Sequence, residues 1–540
     1  DDAAEEETKD DAATEDTASD GDFNITVNLA SEPMTMDPAL NSSVDGAIMA
    51  LHLFEGLMKW EDSGEVANGT DGTADSGKLV PGQAESYEKT ENDDGTVTYT
   101  FKLRDGIKWS DGKDVTAGDF EYSWNYNYML DGVVNANEII AGEKDPDELA
   151  AKALDDKTFE VTLVNDLSYF EELCAFPAMM PVREDMIEKA GDQWTFDTAT
   201  YISNGAYKLK EWTHNSQIVV EKNENYYDVE NLGPETITFK LMDDQNAMLS
   251  GFNSGELDFI EDVPQAEIAN LIASGDMKIV DYIGTYYVCF QTQKAPFDDP
   301  RVRKAFSLAI DRTYIVNQVT QSGQVEAGGF VPSGVYDADG ADGDDFRTVG
   351  GDYYKPTDAD YEANCDEARQ LLADAGYPNG EGFPVVEYLY NTSDAHKAVA
   401  EALQFMWEEE LGVKVTLNNQ EWAAFLQTRK DGDYSIARNG WIADYNDPIS
   451  FLDMWMTGGG NNDAQYANDD YDALIKQAKT TTDNAERMDL LHQAEDKLIG
   501  EDNVLAPLYF YTQKYMLADG IEGMYYCPLG YFFFGYTHQA

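Results

Sequence analysis

Val385–Tyr390 (VVEYLY) is an apolar run, His396–Glu410 carries a helical pattern, and Val413–Leu417 (VKVTL) is a second apolar run. Two strands separated by a helix run parallel, because the helix must cross a sheet face to bring the chain back. A crossing helix needs a sheet to bury its apolar side, so this rhythm confines the chain to an α/β architecture. A second such unit is the helix Asn246–Ser254, ended by Gly255 and followed by the strand Leu257–Ile260.

Alternating apolar and polar residues predict strands at Phe23–Leu29, Thr96–Leu103, Thr158–Leu163, Ser216–Glu221 and Ile237–Leu241. Thr285–Phe290 and Leu505–Tyr511 read as buried strands. Helices are expected over Ala47–Gly56, over Ala117–Met129 with Thr116 as its cap, and from Asp299 with Pro300 at the first position. Cys365–Ala375 reads as a helix capped by Asn364 and ended by Gly376. Residues 61–79 read as a surface loop within a hairpin. Asp337–Asp345 misses a calcium-loop spacing by one residue and reads as an acidic loop. His52 is expected to be a satisfied structural histidine.

At 540 residues the chain is long enough for two or three domains. A net charge of −68 argues against nucleic-acid or anionic-membrane partners. Cys174, Cys289, Cys365 and Cys527 are scattered without a CxxC pair, so neither a zinc site nor a disulfide scaffold is expected. The absence of HExxH speaks against a metal enzyme, and no cofactor is expected. No apolar run approaches the roughly 18 residues of a membrane span. With no leader pattern and Asp1 first, a processed or shortened chain is the expectation. Residues 1–22 are so rich in Asp, Glu, Ala and Thr that they read as a disordered acidic tail.

Gln420–Trp455 concentrates Trp422, Trp441, Trp455, Tyr434, Tyr445, Arg429, Arg438 and Asp444. Asp444 follows the strand Tyr434–Ile442 and precedes the turn Asp447–Pro448. An acid at a strand end among aromatics is placed to meet a cation away from bulk water. The arginines can meet a carboxylate, so the segment suits a zwitterionic, amphipathic ligand such as a peptide. It fits equally a core with structural ion pairs.

This segment resembles the ligand-binding stretch of the oligopeptide-binding proteins that serve ATP-binding-cassette importers, the extracellular solute-binding proteins of family 5. Tyr99–Trp124, Ser203–Asp228 (SNGAYKLKEWTHNSQIVVEKNENYYD), Asp299–Arg312 (DPRVRKAFSLAIDR) and Leu389–Lys397 (LYNTSDAHK) extend the resemblance from about Asn24 to the C-terminus. It implies the periplasmic-binding-protein-like class II (cluster C) fold, two lobes with an additional third domain, closing about a hinge. Residues 23–54, 182–283 and 512–540 would form the first lobe, 55–181 the accessory domain, and 284–511 the second lobe with most of the site.

By the resemblance, Asp444 takes the peptide's α-ammonium and Trp422 and Trp441 wall side-chain pockets. Arg429, Arg438 and His396 match positions that meet the C-terminal carboxylate. Ser42, Ser43 and Val44 would form an extended edge along the peptide backbone, although Val44 fits a core position as well. Tyr287 and Cys289 sit on the strand at the crossover into the second lobe. A disulfide of the best-known relatives falls on Gly284 and Ile442 and is absent here. Two acids of their pockets fall on Ser42 and Cys289. The implied function is capture of oligopeptides outside the cell, as a monomeric lipoprotein of a Gram-positive surface, for delivery to a membrane permease. A sensor of a signalling peptide is the alternative within the fold, and a carboxylate-based hydrolase the alternative outside it. No GxSxG, zinc motif or phosphate loop supports catalysis.

Overall fold

The structure is a computed structural model that describes residues 23–30, 32–41, 43–66, 75–129, 139–142, 149–167 and 169–540. The expected acidic tail, Ser42 and the tip of the 61–79 hairpin lie outside those residues.

An eleven-stranded mixed sheet runs through the molecule. In one half, Asn24–Leu29 pairs parallel with Thr236–Leu241 along its whole length, and Gln217–Lys222 and Tyr207–Thr213 continue the sheet antiparallel. In the other half, Val386–Asn391 lies parallel between Val415–Gln420 and Ile436–Ile442. The expected crossover helix between the first two of these strands is Asp394–Leu411. It buries Val399, Ala400, Leu403, Met406 and Trp407, the spacing of one helix face. Two 13-residue strands, Lys278–Phe290 and Leu505–Leu517, pair antiparallel and join the halves. Only six residues of the first and seven of the second were expected as strand from their apolar runs; the flanking residues are more polar and are ordered by pairing with each other.

A separate four-stranded antiparallel sheet holds Ala84–Glu91, Val97–Leu103, Thr158–Leu163 and Ala151–Asp155. Val97, Tyr99, Phe101 and Leu103 point inward under the helix Ala117–Met129, as their alternation requires. Trp109 and Trp124 are fully buried there, consistent with a structural role. His52 is satisfied on both ring nitrogens, Nδ1 at 2.7 Å from the Ile48 carbonyl and Nε2 accepting from the Phe534 N–H. Burial pushes its pKa down to about 4. All four cysteines are buried and free. No described helix is long and apolar enough to cross a membrane.

Several local expectations are corrected. The first helix is Val44–Leu53, not Ala47–Gly56, because the Ser43 side chain accepts from the Gly46 N–H and starts it early. Val44 is therefore the first helical residue and not part of an extended edge. The helix expected at Cys365 begins at Tyr361, and Asn364 donates to the Lys355 carbonyl and does not cap it. Thr116 donates both its N–H and its hydroxyl to Asp119 Oδ2, so the acid three residues on satisfies the helix entry and the threonine does not. The hairpin arms extend into the expected loop, as Met58–Val66 and Asp75–Pro81. Part of the acidic segment after Tyr336 is itself a short hairpin, Tyr336–Asp337 against Gly340–Asp345. Gly284 and Ile442 are direct cross-strand partners. A Cβ on Gly284 would come within 2.4 Å of Ile442 Cδ1, so isoleucine fills the space over that glycine.

Glu495, fully buried, holds the second half together. It accepts from the backbone N–H groups of Phe330 and Val331 and from both terminal nitrogens of Arg347, at 2.8–2.9 Å. The fork-to-fork geometry is what a buried ion pair needs to offset its desolvation. Glu495→Ala strands a buried guanidinium and two amides, and is expected to cost about 3–5 kcal/mol of stability. Equilibrium urea unfolding measures this; an unchanged midpoint would refute the hub.

Candidate ligand-binding cleft

The strand Ile436–Ile442 forms the centre of the site. Its cross-strand partner is Lys278–Phe290, which fixes which side chains face out of the sheet. Arg438, Gly440 and Trp441 border a cavity of about 520 Å3 that also meets Val44, Tyr287, Trp422, Tyr511 and Tyr531. A second cavity of about 490 Å3 lies against Leu167, Tyr169, Leu173 and the loop Thr457–Asn461. Phe176, Trp441, Asp444, Met454 and Asn461 line both, so the cavities meet at Asp444.

Asp444 sits where the strand ends. The Ala443 N–H still bonds the Ile283 carbonyl, and the Asp444 N–H turns to Ser450 Oγ at 3.0 Å. The following turn is pinned by Asp447, whose carboxylate takes the Ile449 N–H and both terminal nitrogens of Arg487. The backbone is thus rigid on both sides of Asp444. Its carboxylate has no hydrogen bond or ion pair among the described residues. Burial, with Asp453 nearby, pushes its pKa up to about 7. Trp441 is held by its Nε1–H on the Ser450 carbonyl at 2.7 Å.

Among the described residues Arg438 also lacks a carboxylate partner. Its guanidinium lies 5.0 Å from the Tyr286 ring centroid, with Asn391 Oδ1 at 3.4 Å and Tyr511 OH at 3.3 Å. Burial opposes its charge, but the surrounding phenols of Tyr511, Tyr286 and Tyr509 hold its pKa above the ordinary arginine value. Arg429 differs. It is buried, pairs with Asp463 at 3.1 Å, donates to Asn439 Oδ1 at 2.6 Å and stacks on Phe425. Its charge is answered within the protein.

Of the residues expected from sequence, Asp444, Trp441, Trp422, Arg438, Arg429, Tyr287 and Val44 border one cavity. Trp422 stands half exposed at its rim on the helix Trp422–Lys430. His396 is not on the wall. It lies behind Tyr286, with Nδ1 3.3 Å from the phenol oxygen, and burial and Arg438 hold its pKa well below the ordinary histidine value. Cys289 is fully buried beneath the floor, with Sγ 3.3 Å from Tyr434 OH, and burial pushes its thiol up to about 12. Ser42 lies outside the described residues. Lys430, Asp463, Tyr511 and Tyr531 border the cavity too and were missed. Lys430 adjoins Arg429 in sequence and was legible; the others come from distant segments with no local signal. Among the described residues no cluster of three or more His, Cys, Asp or Glu could hold a metal.

A two-lobed α/β molecule with a cleft beside the strands that join its halves has the form of a solute-binding protein. Residues 78–463 match the bacterial extracellular solute-binding proteins, family 5. The chain is 36% identical to the periplasmic oligopeptide-binding protein OppA of Salmonella typhimurium, over 92% of this chain and 88% of that protein. It is 34% identical to the oligopeptide-binding protein OppA of Bacillus subtilis, over 94% of this chain and 91% of that one. The structure resembles Haemophilus influenzae OppA in complex with the peptide RPPGFSPFR, with a TM-score of 0.82 and 30% identity over 96% of this chain and 99% of that one. The chain belongs to the family 5 extracellular solute-binding proteins.

A carboxyl with a folded-state pKa near 7 and an unfolded one near 3.9 binds more protons when folded across that interval. Its contribution to stability is therefore greatest at acid pH and is lost as pH rises through about 7. Asp444→Asn is expected to raise the thermal midpoint of the ligand-free protein above pH 7, by about 1 °C per kcal/mol recovered, and to change it little at pH 4. Scanning calorimetry at both pH values checks this; equal shifts would contradict it.

Proposed function

We propose that this protein captures oligopeptides outside the cell between its lobes and delivers them to the permease of an ATP-binding-cassette importer, without catalysis. The observation that carries the reading is the rigidly held Asp444 carboxylate in a cavity that also presents the Arg438 guanidinium, neither with an ion-pair partner among the described residues. Charges of opposite sign left unanswered within one apolar-walled cavity suit a zwitterion, because a ligand that supplies both counter-charges removes both desolvation costs. Asp444 takes the α-ammonium and Arg438 the C-terminal carboxylate, while Trp422, Trp441 and Tyr287 give area that tolerates many side chains. The relatives in Salmonella typhimurium and Bacillus subtilis, both oligopeptide-binding proteins, support the same ligand class.

The lobes would close over the ligand about the two long strands. In the present form Tyr169 of the accessory domain stacks on Tyr445 at 4.2 Å, and the Glu172 carboxylate takes the Asn446 N–H at 2.7 Å, contacts that favour a closed cleft. The molecule works as a monomer on the outer cell surface, tethered through a lipid-modified cysteine in a Gram-positive host, with residues 1–22 as spacer. The domain boundaries follow as read from the sequence.

Asp444→Ala is expected to weaken a free-amino tripeptide about 100-fold or more in isothermal titration calorimetry, the scale of leaving one buried charge unpaired. Arg429→Ala should weaken it far less, because Arg429 serves Asp463. Equal losses would sink the anchor role of Asp444.

The affinity of the wild type should also depend on pH. The neutral acid cannot pair with an ammonium, so affinity rises as pH climbs through about 7. It declines again above the peptide amine's own pKa of roughly 8. A pH series of titrations tests this; a flat profile from pH 5 to 8 would remove Asp444 from the site.

A further inference from the structure

The second cavity has no role in holding a peptide that begins at Asp444 and runs towards Arg438. We infer that it accommodates peptide continuing past Asp444 in the amino-terminal direction, so that the protein also accepts peptides whose amino end is extended or blocked through an amide. This inference rests on the peptide reading above.

Three features favour a continuing main chain over a single side chain. The cavity shares Asp444, Trp441 and Asn461 with the first one, so a backbone passing Asp444 enters it directly. At about 490 Å3 it nearly equals the first cavity's 520 Å3, and is of the size that holds a whole small ligand. It also contains a polar group waiting for a partner: Asn165 is 3% exposed, its amide nitrogen donates to the Asp166 carbonyl, and its Oδ1 accepts from nothing among the described residues. An aliphatic side chain cannot satisfy that oxygen. A peptide N–H can once the Asn165 amide, whose oxygen is sealed from solvent here, turns into the cavity, and leaving that oxygen unmet carries the full desolvation penalty.

The rest of the cavity suits an amide chain with apolar side groups. Leu167, Leu173 and Phe176 form one wall, and the charged pair Asp453–Lys479, at 3.2 Å, is already neutralised. The opposite wall is the loop with Gly458, Gly459 and Gly460, and a Cβ on Gly460 would meet no atom within 4 Å. Asp444 itself need not exclude such a ligand. Its raised pKa leaves a neutral form at neutral pH that can donate a hydrogen bond to an amide carbonyl standing where the ammonium otherwise stands.

The test compares Ala-Ala-Ala with N-acetyl-Leu-Ala-Ala-Ala by calorimetry on ligand-stripped full-length protein at pH 7. Both are expected to bind, within about tenfold of each other. Gly460→Phe sets a ring on the exposed loop that borders the second cavity and should weaken the acetylated peptide by at least about tenfold while leaving Ala-Ala-Ala within about threefold. Asn165→Ala should act on the acetylated peptide alone. Binding of Ala-Ala-Ala without any binding of the acetylated peptide would overturn the inference and leave the peptide reading intact. So would equal losses of both peptides in folded Gly460→Phe and Asn165→Ala proteins. If neither peptide binds the wild type, the peptide reading falls and the inference with it.

Discussion

The antiparallel pairing of Lys278–Phe290 with Leu505–Leu517 is the constraint on which the rest of the molecule depends. These two strands are the only long elements shared by both halves of the large sheet among the described residues. Their register shifts twice, between Asp281 and Thr285 and again between Tyr286 and Tyr287. Such irregularities bend and twist a strand locally. Here they fall where the sheet passes from one half to the other, beside the floor of the cleft. Because Lys278–Phe290 also pairs with Ile436–Ile442, the same hydrogen-bond ladder that joins the halves sets the outward face of Arg438 and the exit direction at Asp444. A slip by one residue would invert that face and bury both charges.

The charge distribution carries a second lesson. The chain has a net charge of −68, yet the first cavity is lined by Arg429, Lys430 and Arg438 against Asp444 and Asp463. With Arg429 and Asp463 paired, the cleft presents two cations and one acid. Surface acids in water are screened within about 8–10 Å at physiological salt, whereas charges in the cleft face a drier medium. The bulk charge therefore governs solubility and long-range attraction, and the few residues in the cleft govern recognition. Cys289 adds no charge, since its buried thiol stays protonated.

Much of this was legible because it is local. The Val385–Leu417 rhythm specifies a parallel crossover, and the crossover is there. Asp444 was legible as an acid at a strand end. Helix entries were less so. Ser43 begins a helix that the apolar pattern placed three residues later, since capping is a polar signal that hydrophobic periodicity does not contain. The helix at Tyr361 starts with no side-chain cap at all, so nothing in the sequence marked it. Long-range partners were not legible. Arg347 and Glu495 are 148 residues apart, and nothing near either names the other. For the same reason Arg429 and Arg438 looked alike in sequence, and only the fold shows Asp463 beside one of them and, among the described residues, no carboxylate paired with the other.

That difference explains why unpaired charges can be kept in a folded protein. Arg429 with Asp463, Arg347 with Glu495 and Arg487 with Asp447 show that this fold answers its buried cations where it can. Asp444 and Arg438 are exceptions held in place by rigid neighbours: Ser450, Trp441 and the Asp447 turn around one, and the phenols of Tyr286 and Tyr511 around the other. In the ligand-free molecule each destabilises the fold. Asp444 avoids part of that cost by taking up a proton near neutral pH, and Arg438 by lying among polarisable rings. A ligand that brought an ammonium and a carboxylate to these positions, as proposed, would remove the remainder, and that free energy would go into binding. For a ligand with a free amino end the requirement would fall on its charges and not on its side chains, which is the physical basis of the proposed breadth of sequence at one site.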